Sequence, residues 1–299
     1  MAPPPLPPSW DPEWDPATLD REYSPSSCVP ALQPYLDEYA ARSADARARH
    51  EVRRLRYGPG AGETVDVFPA AGGDAPLHVF VHGGNWQALT VDDSAFAAPG
   101  FLAGGVAFAA VGYPLAPGAT LDEIVAAVGR CLRWLHGNAA DVGADPARLQ
   151  ACGHSAGAHL VAAALAADEA LAGAVAGVVL LSGMYDLEPV RRSYVNDALR
   201  LDRDAARRNS PLPHLPPRLP PVVLARGGDE TRGYAMQHDA MLAALRGRGA
   251  VSDAAAVVEV VDPRRNHFDL PYDLPDPATP LGAAVLAQLG TFSRPGGEP

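Results

Sequence analysis

The sequence predicts an α/β fold, a mostly parallel central sheet with helices on both faces. Three observations predict it. Short apolar runs recur along the chain, helical patterns lie between several of them, and a glycine-flanked serine sits where one such run gives way to one such helix. Length agrees, because a chain of 299 residues can bury a large core in one domain without a disulfide or metal staple.

Taken in order, residues 1–16 are proline-dense and read as polyproline II or disorder. A helical pattern runs from about Pro34 to Arg54. It belongs to an N-terminal extension, residues 1–57, expected to pack over a body formed by 58–299. GPGAG at 58–62 reads as a flexible connector; it lacks the strand before, the helix after and the spacing of a dinucleotide loop. Apolar runs follow at Thr64–Phe68, Leu77–Val81, Val106–Val111, Arg148–Cys152, Val175–Leu181, Val222–Ala225 and Val257–Val261. Runs this short, bounded by Gly, Pro and Asp, predict buried strands. Helical patterns lie at Leu121–His136, Ala156–Ala167, Arg232–Arg248 and Thr279–Phe292. Residues 183–221 interrupt the alternation with two short helical pieces and the segment PLPHLPPRLPP. This reads as a cap-like insertion above the C-terminal edge of the sheet, where open α/β sheets bind ligands.

Composition narrows the partners. Asp and Glu number 35 against 24 Lys and Arg, a formal charge of -11, which argues against a nucleic-acid partner. A neutral, zwitterionic or cationic small molecule is the easier guest. Three cysteines, Cys28, Cys131 and Cys152, are too few and too scattered for a disulfide framework. No stretch is long and apolar enough for a membrane span, and the opening MAPPPLPPSWDP has neither the basic nor the apolar region of a secretory signal. The expectation is a cytoplasmic protein with no membrane partner. A homodimer is compatible with the sequence, which does not fix the oligomeric state.

The strongest chemical signal is Gly153-His154-Ser155-Ala156-Gly157, a G-x-S-x-G pattern with the apolar RLQAC before it and the helical AGAHLVAAALAA after it. A strand-to-helix turn this sharp needs glycines on either side, because neighbouring Cβ atoms would collide while the serine is held at a strained angle. Ser155 is the predicted nucleophile of an α/β-hydrolase fold, and the helix that follows directs its N-terminus at the site. A small-residue helix start would explain the pentapeptide alone, but not its flanks. About 70 residues upstream, His82-Gly83-Gly84-Asn85-Trp86 follows the run LHVFV. Glycines after this strand let backbone amides turn toward a substrate, so Gly83, Gly84 and Asn85, with the amide of Ala156, are the candidate oxyanion hole.

The base must follow the nucleophile and the acid in the chain. His214 falls in the proline-rich insertion and His238 inside a predicted helix; His267 follows the last apolar run and is the predicted base. The acid follows the run ending at Ala225, where Asp229 and Glu230 both qualify. Counting three residues past Gly227 selects Glu230, and the choice between the two stays open on spacing. No metal-binding or phosphate-binding motif is present. His154 and His159 are five apart, which does not put them on one helical face. No cofactor is expected.

The pieces LDREYSPSS (19–27), HGGNW (82–86), GHSAGAHL (153–160), LSGMYDLEPV (181–190), YVNDALRLDRDAARRNSP (194–211) and NHFDL (266–270) carry a resemblance. In them the chain resembles the kynurenine formamidases (arylformamidases) of α/β-hydrolase type, relatives of the hormone-sensitive-lipase-like esterases. The resemblance covers most of the chain beyond residue 17. HGG and GHSAG are shared with many esterases; the YSPS segment, and SG-YDL followed by the N-AL-LD-A-SP run, are much more particular. The resemblance places the acid on Glu230, because Tyr234 and Gln237 match the family's aromatic and Gln. Arg232-Gly233 departs from the family's Pro-Glu, and Asn85 stands where an aromatic or small residue is common. The resemblance implies hydrolysis of N-formyl-L-kynurenine, or a related N-formyl arylamine, to the free arylamine and formate. Trp86 and Tyr185 are then candidates to flank the aromatic ring, and His154 a further substrate contact. A carboxylesterase on small acyl or aryl esters would use the same triad.

Overall fold

A computed structural model describes residues 14–247 and 257–290. Its strands are β1 (Arg53–Arg56), β2 (Thr64–Phe68), β3 (Ala75–Val81), β4 (Ala107–Val111), β5 (Ala144–His154), β6 (Gly177–Leu181), β7 (Val222–Asp229) and β8 (Val257–Asn266). They form one sheet in the order β1-β2-β4-β3-β5-β6-β7-β8. β2 is antiparallel to both its neighbours, and every pair from β4 to β8 is parallel, so β2 alone runs against the rest. The mostly parallel sheet expected from the alternating pattern is therefore present.

Pleating sends alternate residues of one strand to opposite faces. In β4, Ala107, Ala109 and Val111 join one apolar cluster, while Phe108 and Ala110 join the other. The first cluster is covered by helices Leu121–Gly137, Ala156–Ala167 and Arg232–Gly247. The second is covered by Gln33–Arg49, Ala98–Ala103 and Pro280–Gln288. Covering both faces explains why the central strands read as continuous apolar runs.

The helix expected from Pro34 to Arg54 ends at Arg49, and residues 53–56 form the edge strand β1. Arg53–Arg56 alternate little in polarity, and pairing with β2, with the Arg54–Asp66 ion pair at 2.6 Å, holds them extended. GPGAG is the turn of this antiparallel pair. A short helix, Ala98–Ala103, lies between β3 and β4 where the sequence pattern marks none. The insertion holds three short helices rather than two, Glu188–Arg192, Asn196–Leu199 and Arg203–Asn209. Most of the proline-dense start, and the expected helix ends at Arg248 and Phe292, lie outside the described residues. Cys131 and Cys152 are buried and Cys28 is half-buried, all as free thiols. No helix among the described residues is long and apolar enough to cross a membrane.

Candidate functional site

The ends of β3, β5, β7 and β8 converge at the C-terminal edge of the sheet and deliver the HGG loop, Ser155, Glu230 and His267. Ser155 stands between β5 and helix Ala156–Ala167 at φ 55, ψ -120, a strained conformation for a residue with a side chain. Its N–H donates to the Leu181 carbonyl at 2.8 Å, which ties the turn to β6. The two glycines of the pentapeptide are steric necessities. A Cβ on Gly153 would lie 2.2 Å from the Gly157 carbonyl oxygen, and one on Gly157 would lie 2.0 Å from that of Val81.

The HGG loop folds over this turn. A Cβ on Gly83 would meet the Ser155 Cβ at 3.0 Å and the His154 carbonyl oxygen at 3.1 Å. Gly84, Asn85 and Trp86 are consecutive left-handed residues, at φ 97, 52 and 61. At Gly84 no side chain would fit, since a Cβ would lie 2.2 Å from the Ala88 oxygen. The Tyr113 hydroxyl ties back the loop's carbonyls, at 2.8 Å from His82 O and 3.1 Å from Gly83 O. The N–H groups of Gly84, Asn85 and Ala156 donate to no backbone carbonyl among the described residues.

His267 and Glu230 meet. His267 Nδ1 lies 3.1 Å from Glu230 Oε2, and both side chains are buried. An ionised carboxylate only accepts, so Nδ1 carries the proton and Nε2 is left as the acceptor. The other carboxylate oxygen of Glu230 accepts from the Gly227 N–H at 2.7 Å and from Ser182 Oγ at 2.6 Å. Asp229, the alternative, is exposed and lies in the β7–β8 ladder opposite Asn266. A strand alternates its side chains, so neighbours in sequence cannot both turn to the same partner.

His154 does not stand apart as a separate contact. Its Nε2 donates to the His267 carbonyl at 2.8 Å, and the two rings are 4.7 Å apart. Burial, reinforced by His267, holds its pKa well below the usual histidine value. It is therefore a neutral brace under His267. Trp86 and Tyr185, expected beside a substrate ring, are both fully buried. Trp86 donates its indole N–H to His159 Nδ1 at 3.1 Å. Tyr185 tucks under Gly183, where a Cβ would lie 2.5 Å from its hydroxyl.

Sequence reasoning missed several neighbours. Ser182, at the end of β6, donates a hydrogen bond to Glu230 at 2.6 Å; a polar residue at the C-terminal end of the strand beside Ser155 was the available signal. Tyr234 packs edge-on against His267 with ring centroids 4.7 Å apart. Burial raises its pKa, and the neighbouring Ser155 side chain works against that rise. The departure at Arg232-Gly233 has a steric reason. The Gly233 N–H donates to Glu22 Oε2 at 3.0 Å, Thr231 Oγ1 donates to the Glu22 carbonyl at 2.5 Å, and a Cβ on Gly233 would lie 2.8 Å from that carbonyl oxygen. Helix Pro16–Glu22 is thereby fastened to the turn that carries Glu230. On its other side, Asp20 accepts from the Tyr194 N–H at 2.7 Å.

Residues 78–210 match a family described by the alpha/beta hydrolase fold. A kynurenine formamidase of Salmo salar is 31% identical over 292 residues, covering 91% of this chain and 96% of the relative. A kynurenine formamidase of Danio rerio is 35% identical over 207 residues, covering 64% of this chain and 69% of the relative. Among solved structures, a candidate thioesterase from Silicibacter sp. TM1040 superposes with a TM-score of 0.75 at 29% identity, over 89% of this chain and 98% of that one. Esterase LipW from Mycobacterium marinum, at 21% identity, shares the fold with a TM-score of 0.68 over 90% of this chain and 89% of that one.

Proposed function

Because the chain belongs to the kynurenine formamidase family of α/β hydrolases, we propose that this hydrolase removes the formyl group from N-formyl-L-kynurenine or a closely related N-formyl arylamine. The observation that carries the chemistry is the Glu230–His267 pair, which leaves His267 Nε2 free as a base at the edge where Ser155 projects. Family membership carries the substrate.

Ser155 Oγ attacks the formyl carbon while His267 Nε2 takes its proton. The amides of Gly84 or Asn85 and of Ala156 stabilise the oxyanion. Collapse breaks the C–N bond as the imidazolium protonates the departing nitrogen, giving the arylamine and a formyl ester on Ser155. Water then attacks that ester, its proton passes to His267 and on to Ser155, and formate leaves. A formyl group needs little room beside the nucleophile, and an aromatic amine is less basic than an alkyl amine and easier to expel.

The test compares kcat/KM for N-formylkynurenine, other N-formyl arylamines and p-nitrophenyl acetate. The formamides are expected to be the better substrates. A preference for the ester by several orders of magnitude would replace this reading with that of a small-acyl carboxylesterase. A Ser155→Ala variant retaining full hydrolysis would remove the nucleophile assignment.

A further inference from the structure

We propose that His159 is the positioning residue of the oxyanion loop, clamping it to the nucleophile helix through the indole of Trp86. The inference rests on the oxyanion role given above to the Gly83–Asn85 loop. It begins with a cost in the backbone. Gly84, Asn85 and Trp86 adopt positive φ in succession, and for residues with side chains this conformation persists only where the surroundings impose it.

Two contacts on Trp86 impose it. Its carbonyl accepts from the Ala116 N–H at 2.9 Å. Its indole is fully buried and donates to His159 Nδ1 at 3.1 Å, with the two rings perpendicular at 85°. An indole N–H can only donate, so His159 Nδ1 must be bare, and the proton sits on Nε2. Nε2 donates in turn to the Asn209 carbonyl at 2.8 Å. Both ring nitrogens are thus satisfied in one tautomer. Asn209 is itself held, its side-chain amide reaching the Ala205 carbonyl at 3.0 Å and Asp122 at 3.2 Å.

His159 lies one turn after Ser155 on the same helix, and its own N–H donates to the Ser155 carbonyl at 3.2 Å. The clamp therefore fixes the loop relative to the nucleophile rather than to the protein at large. A donor amide must sit within a few tenths of an ångström of the developing oxyanion to be effective. A loop of three left-handed residues with a released anchor relaxes away from that position. The role differs from that of His154, the other histidine of the segment, which faces the base. Two histidines that invite a metal reading from sequence thus hold the two halves of the site separately.

The experiment uses Trp86→Phe, which keeps the ring and deletes the N–H; His159→Leu, which deletes the acceptor; and His159→Asn, whose side-chain oxygen restores an acceptor near the Nδ1 position. Active sites are counted by end-point titration with a fluorophosphonate, and the affinity of a trifluoromethyl ketone, whose adduct places an oxyanion in the hole, is measured alongside. The expected result is a kcat lower by about 100-fold in the Phe and Leu variants with KM little changed, as for loss of one oxyanion donor. Ketone affinity should fall in step, activity should be partly rescued by Asn, and the Phe/Leu double variant should be no worse than the weaker single one. Unchanged kcat per titrated site, or a fall in kcat with unchanged ketone affinity, would overturn the proposal. Ser155→Ala in the same assay separates the two readings: if it remains active the assignment of Ser155 as nucleophile is wrong, and if it is dead while the clamp variants are normal only the clamp fails.

Discussion

Glu230 meets His267 with one carboxylate oxygen at 3.1 Å and fills the other with the Gly227 N–H and the Ser182 hydroxyl. The Glu230 carboxylate is thus held by Ser182, at the end of β6, and by Gly227 as well as by His267. Asp229, one residue earlier, faces solvent. Glu230→Gln should therefore lower kcat/KM by about 10⁴-fold, because an amide can hold the wrong tautomer of His267. Asp229→Asn should remain within about twofold of the parent. Steady-state kinetics on a formyl arylamine checks both, and a reversed order would move the acid to Asp229.

Ser182→Ala removes one of the three hydrogen bonds on the Glu230 carboxylate and leaves a buried oxygen less well satisfied. A hydrogen bond to a charged group is worth about 1.5–3 kcal/mol. The expected outcome is a kcat/KM lower by about tenfold or more, read in the same assay with Tm followed in parallel.

Gly157→Ala should fail as a folded protein. The added Cβ would lie 2.0 Å from the Val81 oxygen and 2.5 Å from that of His82, both backbone atoms that belong to β3 and the loop after it. Neither can give way without moving the strand, so destabilisation by about 4 kcal/mol or more is expected. Thermal melting or soluble yield measures it. Gly137→Ala, at the end of an outer helix with open space around it, is the control.

Stability should fall on mild acidification. Burial pulls His78, His82 and His159 down to about 4 from the usual 6.5. Each is neutral in the folded chain and takes a proton in the unfolded chain as pH drops below 6.5. Their contribution is complete above pH 6.5 and is lost as pH falls toward 4, by up to about 3 kcal/mol for each. A Tm series across that window should decline steeply, and a His78→Asn variant should decline less. A flat Tm from pH 6.5 to 4 would contradict the buried neutral histidines.

What sequence revealed depended on range. The central strands announced themselves because burial on both faces makes every position apolar. β1 did not, because Arg53–Arg56 is extended only through its pairing with β2 and the charge on Asp66, and nothing local distinguishes it from the end of a helix. Ser155 and His267 could be singled out as candidates because glycine sterics and chain order constrain them. The candidate acid was narrowed only to Asp229 and Glu230, since counting residues along a turn cannot tell which side chain points inward. The Ser182–Glu230, Tyr234–His267 and Trp86–His159 contacts could not be read from sequence, because each joins residues far apart in the chain. Trp86, a candidate to flank the substrate ring under the resemblance, is fully buried with its N–H on His159.

The fastening of Glu22 to Thr231 and Gly233, and of Asp20 to Tyr194, bears on how this protein can be recombined. A helix at the beginning of the chain and a turn more than 200 residues later make up one unit of exchange. The glycine that admits Glu22 in one is matched to the carboxylate offered by the other. A chimera with a crossover between them would join a lock to a foreign key, even if every element of the sheet were inherited intact. Crossovers that keep both ends from one parent and swap the middle of the chain preserve the Glu22–Gly233 match, while the Asp20 contact asks only for a backbone N–H at position 194.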